Sequence, residues 1–198
     1  MIIRNRRKKT RKQMKLRLLF LGILVSMTYF SASAQDAYAK NIYLEGLGAG
    51  LLWSANYDMR LNRGVQDGLG FRAGIGGFRI GLDGTFNEQE VDLDLNITTF
   101  PLQVNYLIGS GRSSLEIGGG ITPTLINYSG NGEFEVFGET FEVPADGRSL
   151  NAYGTFTLGY RFQPLENGVS FRVNWSPHIG LDYFNPTWVG ISLGYHFK

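Results

Sequence analysis

Beyond residue 34 the chain repeatedly alternates apolar and polar positions with a period of two. In 169–176, Val169, Phe171, Val173 and Trp175 alternate with Ser170, Arg172, Asn174 and Ser176. Successive side chains of a strand point to opposite faces, so this pattern predicts a β-strand with one apolar and one polar side. The same scheme runs through 189–197, with Val189, Ile191, Leu193, Tyr195 and Phe197 on one face, and through 150–162, with Phe156, Leu158, Tyr160 and Phe162. It recurs in 113–125 (Leu115, Ile117, Ile121), 99–108 (Phe100, Leu102, Val104, Tyr106, Ile108), 69–76 (Leu69, Phe71, Ala73, Ile75) and 51–61 (Leu51, Trp53, Ala55, Tyr57, Met59, Leu61). Nothing after residue 34 carries a sustained helical period.

Alternation alone does not say which face is buried, because a soluble sandwich alternates as well. The composition of the polar face decides. It consists of Gly, Ser, Thr and Asn with isolated charges such as Arg72, Glu116 and Arg172, and the part after residue 34 holds only two lysines, Lys40 and Lys198. A water-facing sheet would carry far more Lys and Glu. Small and polar inside with apolar outside is the pattern of a lipid-facing barrel. The expectation is an all-β, antiparallel up-and-down transmembrane β-barrel.

Seven strands would leave an open edge, whose unpaired backbone groups cannot sit in lipid. An eighth is required. Ile42 and Leu44 share one parity and the series from Leu47 has the other, which predicts a first strand at 37–46 and a tight outer turn at 47–50; the alternative is one long bulged strand over 41–61. The connectors 62–68, 109–112 and 163–168 are short. Those at 77–98 and 126–149 are long and hold 10 of the 17 acids, which fits short periplasmic turns and long acidic outer loops.

The first 34 residues are of another kind. Nine basic residues between Arg4 and Arg17 precede the apolar stretch Leu18 to Phe30, and Ala32, Ser33 and Ala34 follow. Basic, apolar and small segments in that order predict a secretory signal peptide over 1–34, cleaved after Ala34, with the barrel domain over 35–198. Without the segment, 10 Lys+Arg stand against 17 Asp+Glu, a formal charge of −7. The basic character belongs to the signal, so no nucleic-acid partner is expected. No Cys is present, which excludes a disulfide scaffold and a lipid-modified Cys anchor.

Several stretches carry a family resemblance: Glu45-Gly46-Leu47-Gly48-Ala49-Gly50, Asn56-Tyr57, Pro101-Leu102 with Asn105-Tyr106-Leu107-Ile108-Gly109, Leu115-Glu116-Ile117-Gly118, Gly159-Tyr160-Arg161-Phe162, and Gly190 to Phe197. In these the chain resembles the small outer-membrane β-barrel domain proteins of Gram-negative bacteria, over essentially the whole of 35–198. The resemblance implies a place in the cell outer membrane and eight strands, without implying a reaction. It also implies contact with outer-membrane lipids and lipopolysaccharide, and with barrel-assembly machinery during biogenesis, as a monomer. The aromatic Phe197 on the lipid-facing parity looks like the signal that machinery reads, although Lys198 follows it.

Candidate chemistry is sparse, and no catalytic, cofactor-binding or metal-binding residue is expected. His178 lies near the outer rim after Ser176-Pro177, and a Ser near a His is the minimum for acyl transfer. No acid partner is assignable, and the His-x-Ser-Asn arrangement of lipid A deacylases is lacking. His196, on the lumen parity, reads as structural. Glu88, Glu90, Asp92 and Asp94 recur every second residue and could present oxygen ligands to a divalent ion, but they lack the Gly of a calcium loop and read as a solvated acidic face. Arg72, Glu116 and Arg172, with Asp58, Arg60 and Arg161, fall on the lumen parity of different strands and predict a plug of ion pairs. Trp53, Trp175 and Trp188 near strand ends suit interfacial anchors. The leading expectation is a non-enzymatic integral outer-membrane protein with a structural or surface-binding role. The alternatives are an enzyme that modifies lipid A acyl chains, a narrow pore, and a soluble lipocalin-like barrel.

Overall fold

The computed structural model of the chain describes residues 38–86, 89–109, 111–136, 139–144 and 146–198. The expected signal peptide, 1–34, lies outside the described residues. Beginning at β1 (Tyr38–Leu47), each neighbouring pair of strands runs antiparallel. β1 pairs with β2 (Trp53–Arg63), which pairs with β3 (Gly68–Phe86). The next wall position is shared by two segments: β4 (Gln89–Thr99) pairs with the upper part of β3, and β5 (Leu102–Ile108) with the lower part. Both lie against β6 (Ser113–Val136), which pairs in turn with β8 (Gly147–Phe162). β8 pairs with β9 (Gly168–Trp175), β9 with β12 (Val189–Phe197), and β12 returns to β1 through Lys40↔Phe197 to Leu47↔Gly190.

The ring is therefore closed, with eight wall positions and no free edge. The break between β4 and β5 falls at Phe100-Pro101, where proline has no N–H to donate. The wall stays sealed there because the Gly74 N–H donates to Pro101 O at 2.9 Å and the Phe100 N–H to Pro123 O at 2.9 Å. The separate first strand is present and the single bulged strand over 41–61 is not. The expected short connectors all fall at the end of the barrel where β1 begins and β12 ends.

Burial follows the alternation. Leu44, Leu69, Val104, Ile117, Leu158, Val173 and Leu193 are exposed on the outside, whereas Asn41, Glu45, Asp58, Arg72, Gln103, Glu116, Thr157, Arg172 and Ser192 are buried inside. An interior this polar is the reverse of a lipocalin-like barrel, whose inside is apolar. Leu51 departs from expectation. Its parity places it in the outward series of 51–61, but it is 4% exposed and faces inward, because the chain at 47–52 bends into the barrel.

The regions 77–98 and 126–149, expected as outer loops, are largely strand. β3 and β4 continue together as far as Phe86↔Gln89, and β6 continues to Val136 opposite β7 (Glu139–Pro144). One side of the barrel thus rises above the rim as a sheet. Along it the sense of the alternation reverses. Thr99 and Thr124 face inward at the rim; the next inward positions are Ile97 and Leu95 on β4 and Ile126 on β6. Outward positions become polar, with Asn96 exposed and Arg79 forming an exposed ion pair with Asp94. Their hydrogen bond holds the Asp94 carboxyl below the usual carboxylate range. Leu51, Leu95, Ile97, Ile126 and Tyr153 form a small apolar core above the lumen, with Phe78, Tyr128 and Tyr183 packed against it.

Candidate functional site

Within the lumen the charged residues of the expected plug meet. Asp58 on β2 is the hub of one network: it accepts from Arg60 Nη2 at 2.8 Å and from Arg161 at 2.8 and 3.1 Å, and Asn105 Nδ2 donates to its other oxygen. Arg161 on β8 also donates to Glu116 of β6 at 2.9 and 3.0 Å, and Arg172 on β9 adds a third bond to Glu116 at 2.7 Å. The chain of pairs Arg60, Asp58, Arg161, Glu116, Arg172 crosses from one wall to the other. Each member is 2% exposed or less.

A second network sits one layer further toward the outer end. Arg72 on β3 pairs with Glu45 on β1, donates Nε to Asn56 Oδ1 at 2.9 Å and donates Nη1 to Gln103 Oε1 at 3.1 Å. Gln103 donates onward to Thr155 Oγ1 at 2.6 Å. Tyr43 lies between the two networks, with the Arg172 guanidinium 4.5 Å and the Arg72 guanidinium 5.4 Å from its ring centroid. Sequence parity had brought Asp58, Arg60, Arg72, Glu116, Arg161 and Arg172 to the lumen. Glu45 and Tyr43 were missed, although they sit opposite in phase to Ile42 and Leu44 and the same parity argument would have found them.

Above these layers the turn between β1 and β2 folds into the barrel mouth. Gly48–Gly50 form one turn of 3-10 helix, and all three residues are buried. Gly48 has φ 73°, and a Cβ there would lie 2.5 Å from the Glu45 carboxyl carbon. Leu47 (φ 59°) and Leu51 (φ 69°) also adopt left-handed conformations, each of which costs on the order of 1–3 kcal/mol. The compensation is a set of side chains from the surrounding walls that donate to three successive carbonyls. His178 Nε2 and Trp188 Nε1 bond to Gly48 O at 3.0 and 2.8 Å, Tyr153 Oη and Thr122 Oγ1 to Ala49 O at 2.8 and 3.3 Å, and Thr99 Oγ1 to Gly50 O at 3.1 Å. The turn is a stopper held from several sides.

His178 is part of that hold. It is 2% exposed, its ring lies 4.8 Å from Tyr153 and 5.1 Å from Trp188, and its Nε2 is committed to a backbone carbonyl. Ser176 shares its inward face, as a strand continuing through Pro177 requires, but Ser176 Oγ accepts from Asn174 Nδ2 instead. Among the described residues neither a base-to-nucleophile bond nor a carboxylate behind the histidine is formed. His196 is buried at the other end, with Nε2 at 3.4 Å from Gln66 Nε2. Of the acidic ladder, Glu88 lies outside the described residues; Asp94 is tied to Arg79. Among the described residues no group of His, Cys, Asp or Glu is arranged to hold a metal ion.

A closed antiparallel ring of eight strands, apolar outward and packed with ion pairs inward, defines the chain as a small transmembrane-type β-barrel. Solved outer-membrane barrels are similar to it in fold. The N-terminal β-barrel domain of Pseudomonas aeruginosa OprF matches with a TM-score of 0.46 and 14% identity, over 83% of this chain and 100% of that one. Yersinia pestis Ail, the attachment invasion locus protein, gives 0.44 and 13% when bound to the heparin analogue sucrose octasulfate, with the same coverage. Acinetobacter baumannii CarO gives 0.36 and 13%, over 80% and 96%. No family model and no curated protein matches the sequence.

Proposed function

We propose that the chain, after export and cleavage behind Ala34, is a non-enzymatic integral protein of the Gram-negative outer membrane whose lumen is sealed and whose outer extension carries a structural or surface-binding role. The observation that carries this reading is the reversal of the alternation at the rim. Below it the outside is apolar and the inside polar, as in lipid; above it the inside is apolar and the outside polar, as in water. A soluble barrel has no reason to change sense along one strand. On this reading the lipid-facing belt contacts outer-membrane lipids and lipopolysaccharide, assembly machinery inserts the barrel, and an external partner would meet the risen sheet.

The lumen argues against a pore. Four arginines, three carboxylates and the inward turn fill it from wall to wall, and an eight-stranded barrel has room for side chains and little else. The test of location is fractionation of cells, then electrophoresis of the outer-membrane fraction with and without boiling. The protein is expected in that fraction, with a mobility that shifts on heating as the barrel opens. Recovery from the soluble periplasm without a shift would overturn the reading.

A further inference from the structure

The apolar outer belt is not the same height all round. Strands β3 and β9 both leave short turns at the same end of the barrel, and their first outward residues are Leu69 and Val169. Ten residues on, the two walls differ in chemistry: β3 presents the exposed, ion-paired Arg79, while the continuation of β9 presents Ile179. Among the described side chains of β3 the last apolar outward residue is Ile75. The belt on the β9 wall therefore runs four residues further, about 13 Å of strand or roughly 10 Å of height at a barrel tilt of about 40°.

That extra height is built by a small hairpin. β10 (His178–Ile179) continues β9 beyond Pro177, pairs with Thr155 and Gly154 of β8, and turns back into β11 (Phe184–Asn185). The turn is closed by the Gly180 N–H donating to Tyr183 O at 2.9 Å. Tyr183 packs inward on the small core, while Ile179 and its partner Phe184 point outward at 49% and 61% exposure. Leu181 at the tip is 99% exposed, with Asp182 beside it. Leu150, on the outward parity of β8, is 73% exposed. The patch is continuous with Trp175 and Val189, which are paired partners in the belt below. Isolated exposed leucines need no explanation, but an apolar patch that prolongs a lipid-facing surface does.

We propose that the β10–β11 hairpin is an outer-leaflet lipid contact: Ile179 and Phe184 lie among acyl chains, and Leu181 lies at their boundary with the headgroups, where Asp182 reaches water. The opposite wall above Ile75 stands in water. The barrel thereby presents a defined side to the membrane surface and holds its risen sheet on the wetter side. This inference rests on the membrane reading given above, and the experiment separates the two.

The chain contains no cysteine, so single cysteines can be placed freely. The variants Phe184→Cys, Leu181→Cys, Asn96→Cys and Val173→Cys, labelled with an environment-sensitive fluorophore, would be refolded into phosphatidylcholine vesicles with and without chain-brominated lipid. Heat-shifted mobility selects folded samples, and Ile179→Cys replaces Phe184→Cys if that variant fails to fold. The expected result is quenching by brominated chains at 184 within about twofold of that at Val173, weaker quenching at 181, and quenching of the Asn96 label by aqueous iodide alone. If the 184 label behaves like that at Asn96 while Val173 is quenched by brominated chains, the hairpin inference is overturned and the membrane reading stands. If the Val173 label also reports water, the membrane reading itself fails.

Discussion

Arg161 is the central link of the lumen network, because among the described residues it bridges Asp58 and Glu116. Without it Asp58 keeps Arg60 and Glu116 keeps Arg172, so the cost lies in the four charge-assisted hydrogen bonds lost and in the space the side chain vacates. Arg161→Ala is expected to destabilise the barrel by roughly 2–3 kcal/mol, read as a lower urea midpoint for refolding into detergent micelles. Tyr153→Phe removes one donor to Ala49 O and is expected to cost about 1 kcal/mol in the same assay. Gly48→Ala should cost more than Tyr153→Phe, since it combines a left-handed backbone with a collision against the Glu45 carboxylate that pairs with Arg72. At this scale the sequence is informative about side and silent about partner. Parity alone sends Arg72, Arg161, Arg172 and Glu116 to the lumen. Which carboxylate each guanidinium meets depends on the stagger of strands distant in sequence, as between Arg161 and Asp58, and no local pattern encodes that.

At the scale of elements, seven strands were legible because each keeps one alternating sense over its membrane-spanning length. The outer parts of β3, β4 and β6 look like loops in the sequence because there the apolar residues leave the lipid parity. Ile97, Leu95 and Ile126 hold that region together with Leu51 and Tyr153. Ile97→Asp would bury a carboxylate in this small core. The expected outcome is faster proteolytic nicking of the β3–β4 hairpin with the heat-dependent mobility shift of the barrel preserved; loss of both would mean that the risen sheet and the barrel fold as one unit. The inward turn was half legible. Its position follows from the phase change between Leu44 and Leu47, but its direction follows from nothing local, since donors from five other segments, at Thr99, Thr122, Tyr153, His178 and Trp188, draw it in.

For the whole molecule, the count of eight strands was derivable because lipid forbids an open edge, even where the first strand was weakly marked. The filled lumen carries its own expectation. In planar bilayers the folded protein should give no discrete conductance steps, and Arg161→Ala, which deletes the central bridge, is the variant in which steps would first be sought. Steps from the unaltered protein would show that the networks open and close.

The seam between β12 and β1 joins the two most distant parts of the barrel, with Lys40 opposite Phe197. Every other wall contact can form between segments made one soon after the other, but this one waits for the last strand to be delivered. Contacts between such distant segments are slow to find, and until this one forms two strand edges remain unpaired. On the outer-membrane reading proposed above, the chain would reach the membrane with these edges still unpaired and able to pair with other chains. Deleting 189–197 would then not produce a smaller barrel; it would leave β1 and β9 as adhesive borders and send the product to aggregates instead of the bilayer.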